Sequence, residues 1–339
     1  MNKKVSIITP SFNRANVIGE TAQSIFDQDY ENWEWVIVDD GSTDDSIALI
    51  SSYCEKDNRV KLFPRDREPK GAATCRNIAV EHCTGDYLIF LDTDDLIAPF
   101  CLSQRVTCAG EHPDADFAIF PMLLFKKERN DLNLLWNTDK ETNDLERFLT
   151  YDPICQGTGT IWQKQSFVNV GMWDEDLALW QDVELHLRSL LKGLRYVKSM
   201  NSPPDTYIRI SDESLSRTNY HSLPKYRSRN KVFKSVIIAM NKQQLGAHIK
   251  GLRTMGYDIV VNGILSGHFF EAQKLIQFLA SYPVFSKTEL RSFSRYLKLR
   301  KFRIYKLSFL DDYLSRKIEL IKPLAENSLG KIPYNEIEK

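Results

Sequence analysis

The 339-residue sequence contains no apolar run approaching the roughly 18 residues that a membrane-spanning helix needs. Its opening residues, Met1-Asn2-Lys3-Lys4, lead straight into a strand-like run without a signal-peptide core, so the expectation is a cytoplasmic protein. Net charge is also lacking: 45 basic side chains meet 45 acidic ones, which removes any whole-molecule attraction to nucleic acid or anionic lipid. No Cys-x-x-Cys pair occurs among Cys54, Cys75, Cys83, Cys101, Cys108 and Cys155, and the six histidines never fall at a zinc-binding spacing. A disulfide framework and a zinc enzyme are therefore not expected. With 42% hydrophobic and 27% charged residues, the composition is that of a globular chain of about two domains.

What the first third does contain is a regular alternation. Val5–Thr9, Trp35–Val38, Val60–Phe63, Tyr87–Leu91 and Phe117–Phe120 are short β-branched or aromatic runs. Helical text separates them, with Ile18, Ala22, Ile25 and Phe26 on one helical face and Ser42 to Asp45 as caps for a helix ending near Lys56. The pattern predicts an α/β fold with a doubly wound, mostly parallel sheet. Ligands of such sheets bind beyond the carboxyl ends of the strands. There the sequence places Asp39 and Asp40 after the second run and Asp92, Asp94 and Asp95 after the fourth. Five carboxylates expected on one sheet edge call for a divalent cation. Taken alone, an Asp-x-Asp is as readily a turn or helix cap.

Beyond about residue 220 the alternation gives way to helix-like text at Lys231–Lys242, Gly267–Leu279 and Lys287–Lys317, predicting a helical region over 219–339. Between Lys287 and Lys306, eight basic side chains meet only Glu289, interleaved with Phe293, Tyr296, Leu297, Leu299 and Phe302. Such a segment either rests on anionic headgroups at the inner face of the cell membrane or forms the solvated face of a bundle helix.

The order of motifs resembles the family-2 glycosyltransferases, inverting enzymes of GT-A fold that use nucleotide-diphospho-sugars. Val5 to Arg14, Val38 to Asp44, Lys70-Gly71 with Ala73, Arg76 and Asn77, Asp92 to Asp95, and Gly171 to Glu175 followed by Trp180 to Arg188 are similar to successive motifs of that family. The resemblance covers roughly residues 3 to 216. It implies a GT-A domain over 1–218, with nucleotide-sugar binding to about residue 115 and the acceptor side after it. Thr9, Pro10, Ser11, Asn13, Asp39, Lys70, Gly71, Arg76, Asp92 and Asp94 would bind the donor. Asp94 and Asp95 would hold Mn²⁺ or Mg²⁺, and Asp182 would be the catalytic base. Independently, Val183, Leu187, Leu190, Leu191 and Leu194 form an apolar stripe that puts Asp182 at a helix start, where a plain helix-dipole carboxylate is the alternative.

Two positions depart from the family pattern. Gln181 stands where an acid is common, and Ser211 stands near the place of a histidine that would be a further metal ligand. Asp212 to Ser216 looks like the family's closing loop. The activity implied is transfer of one sugar from a UDP-linked donor to a glycan or lipid-linked acceptor in bacterial surface polysaccharide assembly. Alternatives are a nucleotide-sugar-binding pseudoenzyme and a sugar nucleotidyltransferase, the latter disfavoured because the opening loop has no glycine before Gly19.

Overall fold

The computed structural model describes residues 3–211, 218–302, 315–319 and 332–333. Twelve strands are assigned among them: β1 (Val5–Ser11), β2 (Trp33–Asp39), β3 (Val60–Pro64), β4 (Tyr87–Phe90), β5 (Leu96–Ile97), β6 (Phe117–Ile119), β7 (Met122–Phe125), β8 (Leu134–Leu135), β9 (Thr160–Gln163), β10 (Tyr196–Lys198), β11 (Thr206–Arg209) and β12 (Ile332–Pro333). The helices are α1 (Ile18–Phe26), α2 (Ser46–Lys56), α3 (Ala72–His82), α4 (Cys101–Glu111), α5 (Asp144–Leu149), α6 (Lys164–Val170), α7 (Gln181–Leu191), α8 (Leu223–Ala239), α9 (Lys242–Ala247), α10 (Ile249–Leu265), α11 (Phe269–Leu279) and α12 (Lys287–Lys301).

The main sheet has the order β10-β6-β9-β4-β1-β2-β3. Within it β1 runs parallel to β2 and β4, with Ile7 opposite both Trp35 and Ile89. Both faces of this sheet are covered, so its strands read as continuous apolar text while alternate residues serve different cores. Ile8, Val36, Val38, Leu88 and Phe90 pack on one side; Val5, Ile7, Trp35, Ile37 and Ile89 pack on the other. All five predicted strands are present. The strand that the alternation did not reveal is β9, inserted antiparallel between β4 and β6.

A second sheet, β12-β8-β7-β11-β5, carries the chain past the metal-motif loop. A buried ion pair ties it to the rest. Arg105 of α4 donates to both carboxylate oxygens of Asp205 at 2.8 and 2.7 Å, and its third nitrogen binds the carbonyls of Thr158 and Thr160. Both ends of the pair are fully buried, so the bidentate geometry is what makes the charges tolerable there.

The helices after residue 218 share the core that lies under α3, α5 and α7. The division near residue 218 is accordingly a proposal about chain organisation, not a break in packing. In α12 the apolar residues Leu290, Phe293, Tyr296, Leu297 and Leu299 are buried, packed with α10 and α11, while Arg291, Arg295 and Lys298 face outward. That apolar face is therefore spent on the bundle, as in the second of the two readings of the segment. Residues 303–306 of the basic segment, and Asp212 to Ser216, fall outside the described residues. Among the described residues no helix is long and apolar enough to cross a membrane.

Candidate functional site

The sheet order sets the loops after β1, β2 and β4 side by side, because β1 lies between the other two strands. Asn13, in the left-handed region at φ 52°, stitches the first loop to the second. Its N–H donates to Ser42 Oγ and its side-chain oxygen accepts from Thr43 N at 2.8 Å. The Asp39 carboxylate accepts from the N–H groups of Gly41 and Ser42 and from Ser42 Oγ. Thr9 is fully buried and its hydroxyl accepts Trp35 Nε1 at 2.9 Å, so its polar atoms nearest the loops are those of its backbone. Ser11 is buried with a hydroxyl that has no hydrogen-bond partner among the described residues.

Five carboxylates do reach this edge, yet they do not form one cluster. Asp39 is held by its own loop, and Asp40 is paired with Arg65 at 2.6 Å. The crowded group is Asp92, Asp94 and Asp95. Burial, and then the charge of Asp92, raise the Asp94 carboxyl above its ordinary range. Burial, and then Asp94 and Asp92, raise Asp95 further. Asp95 spends its two oxygens on Arg209 N at 3.0 Å and Thr158 Oγ1 at 3.3 Å. Asp94 is half-buried, and its backbone carbonyl accepts from Arg209 Nε. The described residues contain no group of three or more His, Cys, Asp or Glu side chains arranged to hold a metal ion.

Arg209, between β7 and the metal motif, was not visible as a site residue in the sequence. Its Nε donates to the carbonyl of Asp94 at 3.0 Å, and its other end pairs with Glu20 at 2.8 Å. Phe12 is a second such residue: its exposed ring lies 3.7 Å below Lys70 Nζ at the mouth of the loops. Lys70 precedes Gly71, whose φ of 146° marks a backbone that favours glycine and starts α3.

From α3, Arg76 reaches across the cleft. One terminal nitrogen donates to Asp92 Oδ1 at 2.6 Å and the other to Gln181 Oε1 at 3.1 Å, with the guanidinium over the ring of Trp173 at 5.1 Å. Burial opposes its charge, but Asp92 and then Asp182 outweigh that and raise its pKa. Thus Arg76, Asp92 and the start of α7 meet.

Asp182 does lie in the first turn of α7, after Trp180 in the left-handed region at φ 66°. Its Oδ1 accepts Gly157 N at 2.7 Å, a partner 25 residues upstream. Arg188 and Glu184 form the expected pair one turn apart at 2.7 Å. His186 is structural: it is buried among Phe117, Phe148 and Trp162, its Nδ1–H donates to the Asp182 carbonyl, and burial lowers its pKa. Trp162 and Trp173 are likewise core side chains.

Known proteins share this arrangement in part. Residues 6–171 match the model described as Glycosyl transferase family 2. An uncharacterized glycosyltransferase of Rickettsia bellii is 30% identical over 195 residues, 56% of this chain and 27% of the relative. The GalNAc(5)-diNAcBac-PP-undecaprenol beta-1,3-glucosyltransferase of Campylobacter jejuni is 30% identical over 128 residues, 38% of this chain and 40% of the relative. The chain thus spans well under half the length of these curated relatives. The crystal structure of S. aureus TarS 1-349 in complex with UDP-GlcNAc superimposes with a TM-score of 0.64 at 19% identity, covering 89% of each chain, a likeness of fold.

Proposed function

We propose, from the match of residues 6–171 to the Glycosyl transferase family 2 model, that the chain is a member of that family and transfers a single sugar from a UDP-linked donor to a glycan or lipid-linked acceptor, with inversion at the anomeric carbon. One observation carries the reading. The Arg76 guanidinium touches both Asp92, on the donor side, and Gln181, the neighbour of Asp182. Donor loop and base therefore face a single cleft. The donor in TarS and the undecaprenol-linked acceptor of the Campylobacter relative support the choice of substrate classes.

In this mechanism Asp94 and Asp95 would hold a divalent cation, Mn²⁺ or Mg²⁺, while Arg76 pairs with Asp92 of the same loop. When bound, such a cation stabilises the charge that grows on the departing diphosphate. Ser11, Asn13, Asp39, Lys70, Gly71 and the backbone of Thr9 and Pro10 line the nucleotide end. Asp182 keeps one oxygen on Gly157 N and offers the other to the acceptor hydroxyl. The hydroxyl oxygen bonds to the anomeric carbon, its proton passes to Asp182, and the bond to the phosphate oxygen breaks with its electrons leaving on UDP. Attack opposite the leaving group inverts the centre.

The test is a panel of UDP-, GDP- and dTDP-sugars assayed for hydrolysis with Mn²⁺ present, beside calorimetry of the free nucleotides. Release of UDP is expected, with D182N losing about 10²- to 10⁴-fold in turnover while still binding UDP. Wild-type protein that binds UDP but releases none from any donor, with or without acceptor, would make it a binding protein. Tighter binding of GDP or dTDP than of UDP would overturn the uracil assignment.

A further inference from the structure

Gln181 occupies a position that the motif order leads one to expect to be acidic, and both ends of its amide are nevertheless hydrogen-bonded. Its Nε2 donates to the Leu177 carbonyl at 2.7 Å, which fixes the amide so that Oε1 faces Arg76. Arg76 is buried, braced by the Trp173 ring, and shared between Asp92 and this amide oxygen. Asp182, the next residue along, feels the guanidinium electrostatically but is bonded to Gly157 N instead. A guanidinium with a free terminal nitrogen beside a carboxylate closes onto it, because a charge-assisted bond is roughly twice as strong as a neutral one. Such closure would occupy the oxygen that must receive a proton.

We infer that Gln181 is a positioning residue that holds Arg76 off Asp182, keeping the guanidinium on the donor side and the base open to the acceptor. The inference rests on the reading of Asp182 as the base. Arg76 links the two halves of the cleft, and Gln181 sets which half its second nitrogen serves.

Two substitutions and one structure decide it. In Q181L the acceptor of the second nitrogen is gone. Turnover should fall at least tenfold while the KM for the donor stays within about twofold, since the Asp92 bond persists. Q181E, whose carboxylate can accept the same bond, should recover part of that loss. A crystal structure of Q181L should show an Arg76 terminal nitrogen within hydrogen-bond distance of the Asp182 carboxylate. Q181L turning over like wild type, Q181E performing no better than Q181L, or Arg76 remaining on Asp92 alone and clear of Asp182 would overturn the inference. If the wild-type protein releases no nucleotide from any donor, the functional reading fails by itself. The Q181L structure then still decides whether the amide holds the guanidinium away from Asp182.

Discussion

The backbone N–H of Gly157 donates to Asp182 Oδ1 at 2.7 Å, and a Cβ added at Gly157 would stand 2.9 Å from that same oxygen. The residue that anchors the proposed base is thus one whose missing side chain makes room for it. Arg105, gripping the carbonyls of Thr158 and Thr160, holds the short turn in which Gly157 sits. The position of Asp182 is therefore set by a turn and a buried ion pair as much as by α7.

Replacing Gly157 by alanine forces Asp182 or the nearby Trp173 ring, 3.2 Å from the new Cβ, to shift. A displacement of the order of 1 Å at a reacting group costs about 10²-fold in rate. We expect G157A to lose about that much turnover while UDP affinity by calorimetry is kept. Wild-type turnover in G157A would show that the Gly157 bond does not place the base.

The Asp94 carboxyl is raised by burial and then by the charge of Asp92, and that of Asp95 by burial and then by Asp94 and Asp92. For an acid with a raised pKa, the fold disfavours the ionised form, so neutralising one partner relieves repulsion. D94N should melt at the same temperature as the wild type or slightly higher in the absence of metal. Its UDP affinity in Mn²⁺ should drop at least tenfold, because a carboxylate ligand is gone. Equal Mn²⁺-dependent affinity in both proteins would remove Asp94 from the metal site.

Glu34 is a charge buried in β2, and the sequence pattern does not anticipate it. Burial works to raise its pKa, but bonds from Lys61, Thr84 N and Ser6 prevail and hold it at about 2 against an ordinary 4.5. The folded value is depressed, so this stability is complete above about pH 4.5 and is lost as pH falls through about 2. The difference corresponds to about 3 kcal/mol. E34Q should lower unfolding free energy by about 2 to 3 kcal/mol at pH 7 and flatten the acid limb of the stability curve. Denaturant titrations at pH 7 and pH 3 check it; an equal loss at both would exclude the ionised carboxylate as the source.

Much of the donor half was legible because parallel strands buried on both faces must be written in β-branched and aromatic residues. Their ends then have to hold the turn-forming and acidic residues. The sequence pattern put Arg76 near the start of one helix and Asp182 in the first turn of another, and both helices are present. Other elements were hidden by their own composition. Helix α10 contains Gly251, Gly256 and Gly263, poor helix formers, yet each lies where a side chain would collide with Leu149, Phe233 or Tyr226. Its glycines serve close packing, so propensity points the wrong way. Strand β9 was missed because an antiparallel insertion carries no local sign of which neighbours it will join.

By itself the sequence determined the α/β class, the strand ends where polar chemistry gathers and the helix that begins at Asp182, all features governed by local periodicity and short-range turn chemistry. Only the tertiary structure decided that Asp39 is bonded within its own loop and Asp40 to Arg65, apart from Asp92, Asp94 and Asp95, that Gly157 holds Asp182, and that Gln181 shares Arg76 with Asp92. Those contacts join residues up to 105 positions apart. Their partners are chosen by which loops the packed sheet brings together, and no spacing along the chain encodes that choice.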